Sequence, residues 1–346
     1  MNILERGLMV LLCLPFLTGC MGHKTPQEPE ITEPDACTVQ EVEALAQESV
    51  QLTVWSTYWD CADDMEVLQS EAGNVDEISL FAASFQNGEV TIPEATTRML
   101  KKIRRREQTK EKTVYLSIVN DVTENGKTTQ KDTAILQKVL GTDEAAQAHA
   151  EQLVRLAADN GFDGIEIDYE KIRKDMDLWQ AFLNFGEKLL ALAEDAGLKV
   201  RIVLEPSTPA EQLNFPEGAE YVLMCYNLYG NGTEPGPKAD FEFLQQMQEK
   251  FRDVPALSYA LANGGYLWEG GGQTATQCRA AEAKAMAEKA GVTPERDESS
   301  GALYFSYTEG RKSYTVWYAD ETTLARWAQY LGELTGEKVA VNLWRL

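Results

Sequence analysis

Apolar and polar positions along the chain alternate between two rhythms. Short strand-like runs recur near 51–57 (QLTVWST), 77–83 (EISLFAA), 113–119 (TVYLSIV), 163–169, 199–204 (KVRIVL), 220–227 (EYVLMCYN), 255–260 (PALSYA) and 338–344 (KVAVNLW). Helical patterns fill most of the intervals. Ala145 to Asp159 ends at Asn160-Gly161, and Met176 to Asp195 ends at Ala196-Gly197, each with a glycine after the last turn. Eight strands alternating with helices predict an α/β chain folded as a (β/α)8 TIM barrel. A doubly wound open sheet is the runner-up, disfavoured because no glycine-rich phosphate loop follows the first strand. The interval between strands seven and eight is too long for one crossover. Residues 275–290 read as a helix, and Leu303–Thr308 and Ser313–Tyr318 flank a Glu309-Gly310 turn, a hairpin pattern. Residues 262–319 are therefore expected to form a small α+β insertion that deepens one wall of the barrel mouth.

One strand carries unusual chemistry. In Gly161-Phe-Asp-Gly-Ile-Glu-Ile-Asp-Tyr-Glu170, Ile165, Ile167 and Tyr169 alternate with Glu166, Asp168 and Glu170. Carboxylates two residues apart on a strand lie about 7 Å from one another. Their repulsion raises at least one pKa and leaves a protonated acid near neutral pH, which general-acid catalysis needs. The alternative is an acidic, solvated edge strand; the flanking isoleucines and the neighbouring helices favour a central one.

Length and composition narrow the function. With 346 residues, 44% of them hydrophobic, the chain can build one large core. A net charge of −23 argues against nucleic acid or an anionic membrane surface as partner. With His23 and His149 as the only histidines, a multi-histidine zinc site is excluded, and a Ser-His-Asp triad could use only His149. Arg6 precedes an apolar run, Gly7 to Phe16, too short to span a bilayer. Residues 1–19 are expected to be an export signal. The Pro- and Glu-rich residues 20–36 are expected to be an extended tether, leaving 37–346 as the folded domain. Cys37, Cys61 and Cys278 have no framework-like spacing. The basic run Lys101–Arg106 reads as a solvated helix face, and Trp268 among glycines as an exposed loop aromatic.

Asp163-Gly-Ile-Glu-Ile-Asp-Tyr-Glu170 resembles the DGxDxDxE signature of family 18 glycoside hydrolases, the chitinase-like enzymes. The resemblance implies Glu170 as catalytic acid, Asp168 as the acetamide-orienting partner, and Asp163 and Glu166 as substrate-binding acids, Glu166 being one methylene longer than the usual aspartate. Met224-Cys-Tyr-Asn227 is similar to the family's MxYD/N motif, which implies Tyr226 as a third catalytic residue and Asn227 as a substrate contact. Trp344 matches the tryptophan that floors the sugar site, where a pyranose face can stack on an indole. Ser117 fits the serine of the family's SxGG poorly, because the glycines are missing. Reading the other strand ends adds Tyr58 and Asn120 as substrate contacts. Leu17-Thr-Gly-Cys20 resembles a bacterial lipobox, which implies a lipidated Cys20 and an extracytoplasmic, membrane-anchored protein. The segments around Phe305–Thr308 and Val316–Glu321 are similar to the branch containing spore-cortex and peptidoglycan N-acetylglucosaminidases.

Three functions compete: a retaining glycosidase on β-linked N-acetylglucosamine polymers (peptidoglycan, chitin-like or N-glycan), an inactive sugar-binding lipoprotein, and a hydrolase using the carboxylates to hold Mg²⁺ or Ca²⁺. The intact Asp168 and Glu170, with Tyr and Trp as companions, favour the first. The enzyme is expected to be a monomer that needs no cofactor or metal and touches the membrane only through its anchor.

Overall fold

The computed structural model describes residues 36–346. Among these, eight parallel strands close into a barrel: Gln51–Thr57, Glu77–Gln86, Thr113–Glu124, Gly164–Asp168, Lys199–Leu204, Glu220–Met224, Leu257–Ala262 and Ala340–Trp344. They pair in chain order, and the eighth returns to the first, with Val54 level with Leu343 on one side and Ile78 on the other. The (β/α)8 expectation holds. Outward residues such as Ile165, Ile167, Val200 and Ile202 are buried against surrounding helices, among them Asp143–Asn160, Met176–Asp195 and Glu321–Thr335. The expected glycine stops are present: Gly161 adopts φ 80° after the first of these helices, where a left-handed residue ends the turn. A helix at Ala36–Glu48 precedes the barrel and buries Val42 and Leu45 in the core. The expected signal segment 1–19, Cys20 and the tether up to residue 35 lie outside the described residues.

Two strands run further than their apolar patterns. The second continues into a hairpin with Glu89–Thr91, and the third into one with Lys127–Thr129. Their turns are Asn87-Gly88 (φ 50° and 89°) and Asn125-Gly126 (φ 51° and 75°). Asn-Gly is the pair that tolerates two consecutive positive φ angles, so each turn can match the twist of its strands. These hairpins rise above the barrel mouth on one side.

Between the seventh and eighth strands lies a five-stranded antiparallel sheet, with Gly264–Glu269 paired to Ala275–Cys278 and to Lys312–Ala319. The expected Leu303/Ser313 hairpin is present as Leu303–Glu309 with Lys312–Ala319. The helix expected over 275–290 is shorter, Ala280–Ala290, because residues 275–278 add a strand to this sheet. Trp268 is fully buried on the first of these strands, its indole N–H donating to the Thr233 carbonyl at 3.1 Å. The exposed-aromatic reading is corrected: Gly264 and Gly265 belong to the strand itself, only the glycines from Gly270 onward form a turn, and pairing carries the ring inward. No disulfide joins the cysteines of the described residues. His149 is buried beside Tyr169, with Nε2 and the phenol oxygen 2.7 Å apart, and burial pushes its pKa down to about 4. It is a neutral packing residue.

Candidate active site

The fourth strand sets the site. Gly164 opens it because a Cβ there would meet the Tyr115 ring at 2.5 Å and the Lys199 carbonyl at 2.9 Å. From that point period-two alternation sends Ile165 and Ile167 to the helices and Glu166 and Asp168 into the barrel. Glu170 follows at the mouth.

The three acids occupy three depths. Glu166 is fully buried: its Oε1 accepts from Trp55 Nε1 at 2.6 Å and Ser79 Oγ at 2.7 Å, and its Oε2 faces Arg201 Nε at 3.2 Å. Asp168, 8% exposed, has an Oδ1 that is buried without a hydrogen-bond partner. Burial pushes its carboxyl well above the usual range, and the negative charge of Glu170 adds to this. Glu170 is ion-paired through Oε2 to Lys131. Burial raises its pKa too, while the Lys131 ammonium opposes the rise. The pair therefore holds a proton more readily than free carboxylates do, and it titrates as a unit.

Tyr226 is buried beside them, its phenol pushed up by burial and by the Asp168 and Glu170 charges, so it stays a neutral donor. Its ring lies near-parallel to Trp344, with centroids 6.5 Å apart and 13° between planes. Trp344 is fixed edge-on by Phe81 at 5.0 Å and Trp55 at 5.7 Å. Asn227, in a left-handed conformation (φ 64°), accepts from the Tyr266 hydroxyl at 3.4 Å and so ties the mouth to the insertion. Tyr58 and Trp59 are 44% and 50% exposed at the rim, edge to face at 4.7 Å. With Asp168 and Glu170 these residues line one cleft of about 500 Å³.

Three expected substrate contacts fall elsewhere. Asp163 sits before the strand, at the opposite end of the barrel, where it pairs with Arg104 and accepts from Val114 N at 2.7 Å. That corrects its reading as a sugar contact and gives Arg104, within the basic run, a structural role. Glu166 is sealed beneath Asp168, so its part is to anchor the floor. Asn120 is fully buried and brackets the Glu170 backbone: Glu170 N–H donates to its Oδ1 at 3.0 Å, and its Nδ2–H donates to the Glu170 carbonyl at 3.1 Å. It is a positioning residue. Lys131, Trp59, Phe81, Asp121 and Thr128 line the cleft without having been singled out from sequence. For Lys131 and Thr128 the available signal was the Asn125-Gly126 turn.

A carboxyl that holds its proton more tightly than usual and has a buried oxygen without a hydrogen-bond partner, a second acid at the surface and an aromatic wall suit proton transfer to a bound ring-shaped ligand. Residues 51–334 match the model of the family described as "Glycosyl hydrolases family 18". An uncharacterized glycosylase of Bacillus subtilis (strain 168), YvbX, is 24% identical over 209 residues, which are 56% of this chain and 60% of that protein. The match thus spans less than two thirds of the relative's length. The spore cortex-lytic enzyme SleL of Bacillus megaterium QM B1551 superposes with a TM-score of 0.70 at 17% identity, over 86% of this chain and 70% of SleL. A chitinase from Chromobacterium violaceum ATCC 12472 gives 0.72 at 19% identity, over 86% and 94% of the two chains. At these identities both structural matches speak for the barrel fold alone.

Proposed function

The chain belongs to the family 18 glycosyl hydrolases, and from that premise we propose that it is a retaining hydrolase of β-linked N-acetylglucosamine polymers. The observation that carries this reading is the Asp168–Glu170 pair, with one oxygen buried and unpartnered and the other acid at the cleft surface. The reaction uses the substrate's own acetamide in place of a protein nucleophile. On binding, the proton shared by the pair resides on Glu170. Glu170 passes it to the glycosidic oxygen as the acetamide carbonyl oxygen attacks the anomeric carbon, and the bond to the leaving sugar breaks. Asp168, now a carboxylate, accepts from the acetamide N–H and stabilises the cationic oxazolinium ring. Tyr226 donates to the acetamide oxygen, and Trp344 supports the sugar face. Water deprotonated by Glu170 then opens the ring from the side the leaving group left, so configuration is retained.

A thiazoline that mimics the bicyclic intermediate is expected to inhibit competitively, since such mimics gain affinity from contacts made along the reaction path. EDTA is expected to have no effect, and Asp168→Asn to weaken the inhibitor and slow turnover together. EDTA sensitivity with indifference to the thiazoline would point to a metal hydrolase. Sugar affinity without turnover on any N-acetylated polymer would leave only a binding protein. We also propose membrane anchoring through Cys20, motivated by Leu17-Thr-Gly-Cys20. Cys20→Ser should move the protein out of the membrane fraction, and equal retention of the variant would remove the anchor.

A further inference from the structure

The ammonium on Glu170 has no part in that chemistry. Lys131 is the only cation among the described residues lining the cleft, whose other charged members are Asp121, Asp168 and Glu170. Its backbone is left-handed, φ 55°, a conformation uncommon for a residue with a side chain. The surroundings hold it there. Lys131 N–H donates to Asp121 Oδ1 at 2.8 Å, and Asp132 N–H donates to the Asn120 carbonyl at 2.9 Å. Asn120 also brackets Glu170, so one residue fixes both the acid and the segment that carries the cation. The Lys131 side chain remains 38% exposed. Three donors on a flexible stem allow its ammonium to hold a second anion.

This arrangement is unfavourable for a neutral substrate. An ion-paired cation keeps a general acid ionised when the reaction needs it protonated. The other groups facing Glu170 are Asp168 and Tyr226 inside the barrel mouth, Asp121 on the third strand and Glu205 after the fifth, none of them a cation. The contact becomes useful when the leaving sugar brings its own anion. Glu170 must touch the leaving oxygen, so that sugar lies against Lys131 as well. A carboxylate carried on the adjoining ring carbon would draw the ammonium away and let Glu170 take up its proton.

We propose that Lys131 is a specificity residue that reads a carboxylate ether-linked to the ring carbon beside the leaving oxygen, as in the 3-O-lactyl amino sugar of peptidoglycan. The proposal rests on the glycosidase reading above and narrows its substrate to an anionic, alternating amino-sugar polymer.

The test compares the full chain with Lys131→Met and Lys131→Arg on three soluble oligomers of equal length. One alternates N-acetylglucosamine with its 3-O-lactyl ether, one is the same oligomer with the carboxylate reduced to the alcohol, and one is an N-acetylglucosamine homo-oligomer. Wild type should cleave the carboxylate oligomer with kcat/KM about tenfold above its reduced form, the scale of one well-placed charge pair. That ratio should collapse in Lys131→Met and return in Lys131→Arg; as a ratio within one enzyme it is insensitive to a misfolded fraction. On the homo-oligomer, the alkaline limb of the Lys131→Met profile should move to higher pH, because the charge that lowers the Glu170 pKa is gone. No wild-type preference, a preference that survives in Lys131→Met, or equal losses on all three oligomers would overturn the assignment and leave the glycosidase reading standing. Failure of wild type to cleave any of the three would remove both.

Discussion

Glu166 and Asp168 sit two residues apart on one strand, point into the same barrel, and are treated in opposite ways by their surroundings. At the floor, Arg201 is fully buried with Glu166, Glu77 and Glu220 at N–O separations of 3.2, 3.7 and 3.9 Å. Its guanidinium also lies over the Tyr115 and Trp55 rings at 5.0 and 5.8 Å. Some of these atoms meet as ion pairs without hydrogen-bond geometry, Glu166 Oε2 with Arg201 Nε among them, but each charge has its opposite alongside. At the mouth, Asp168 Oδ1 has no hydrogen-bond partner, and Lys131, the one cation among the described residues lining the cleft, pairs with Glu170 from a half-exposed position. Leaving a buried polar atom unpaired costs about 1–3 kcal/mol. Within a single strand, one acid is thus held beside a buried cation at the floor, while the next has no cation of its own and faces the cleft.

The comparison breaks most visibly at Glu170. Glu170→Gln is nearly isosteric and should cut kcat by about 10²–10⁴-fold, the usual worth of general-acid assistance, with little change in unfolding. Wild-type turnover of an N-acetylglucosamine oligomer with a poor leaving group would remove the acid assignment. At the floor the effect should appear in stability instead. Arg201→Met leaves the Glu166 carboxylate buried without its cation, a situation that costs about 3–5 kcal/mol in denaturant unfolding. A loss under about 1 kcal/mol, the range of an exposed pair, would mean that the floor is not held by charge matching.

The reactive half was the more legible in sequence. The acidic ladder is local and periodic, so strand alternation alone placed Asp168 and Glu170 on one side of the fourth strand, and the family resemblance named Tyr226 and Trp344, which the barrel brings to the same end. Asp163 misled because the resemblance carries residue types without saying which end of the strand they occupy. The hairpin that delivers Lys131 was missed for a physical reason. Lys127, Thr128 and Thr129 are all exposed, so no apolar alternation marks them as a strand, and only Asn125-Gly126 betrays the turn. Arg201 was also invisible as a core residue. Nothing in KVRIVL marks its arginine as buried until Glu166, Glu77 and Glu220 are seen to surround it.

A smaller effect separates positioning from contact. Asn120→Ala removes both hydrogen bonds that bracket Glu170 and should lower kcat by about tenfold through misplacement of the acid. KM should change less than kcat, because Asn120 is sealed from the cleft. A rise in KM with kcat unchanged would instead restore it as a substrate contact.

The finest distinction between the two ends lies in how stability depends on pH. Burial first, and the Glu170 charge second, hold the Asp168 carboxyl well above its ordinary range. An unfolded aspartate titrates near about 3.9. Between that value and the raised native one, the folded protein binds more protons than the unfolded chain, so stability falls as pH rises through the window. Asparagine has no proton to lose there. Asp168→Asn should therefore flatten this part of the stability profile and gain about 1 kcal/mol near neutral pH, as expected when a strained functional group is removed, while turnover slows. Glu166→Gln should instead lower stability, because it takes a partner from Arg201. Urea unfolding of both variants from pH 4 to pH 8 reads the signs directly. An Asp168→Asn protein that is less stable at neutral pH, with the wild-type slope intact, would make Asp168 a structural acid like Glu166 and erase the difference between floor and mouth.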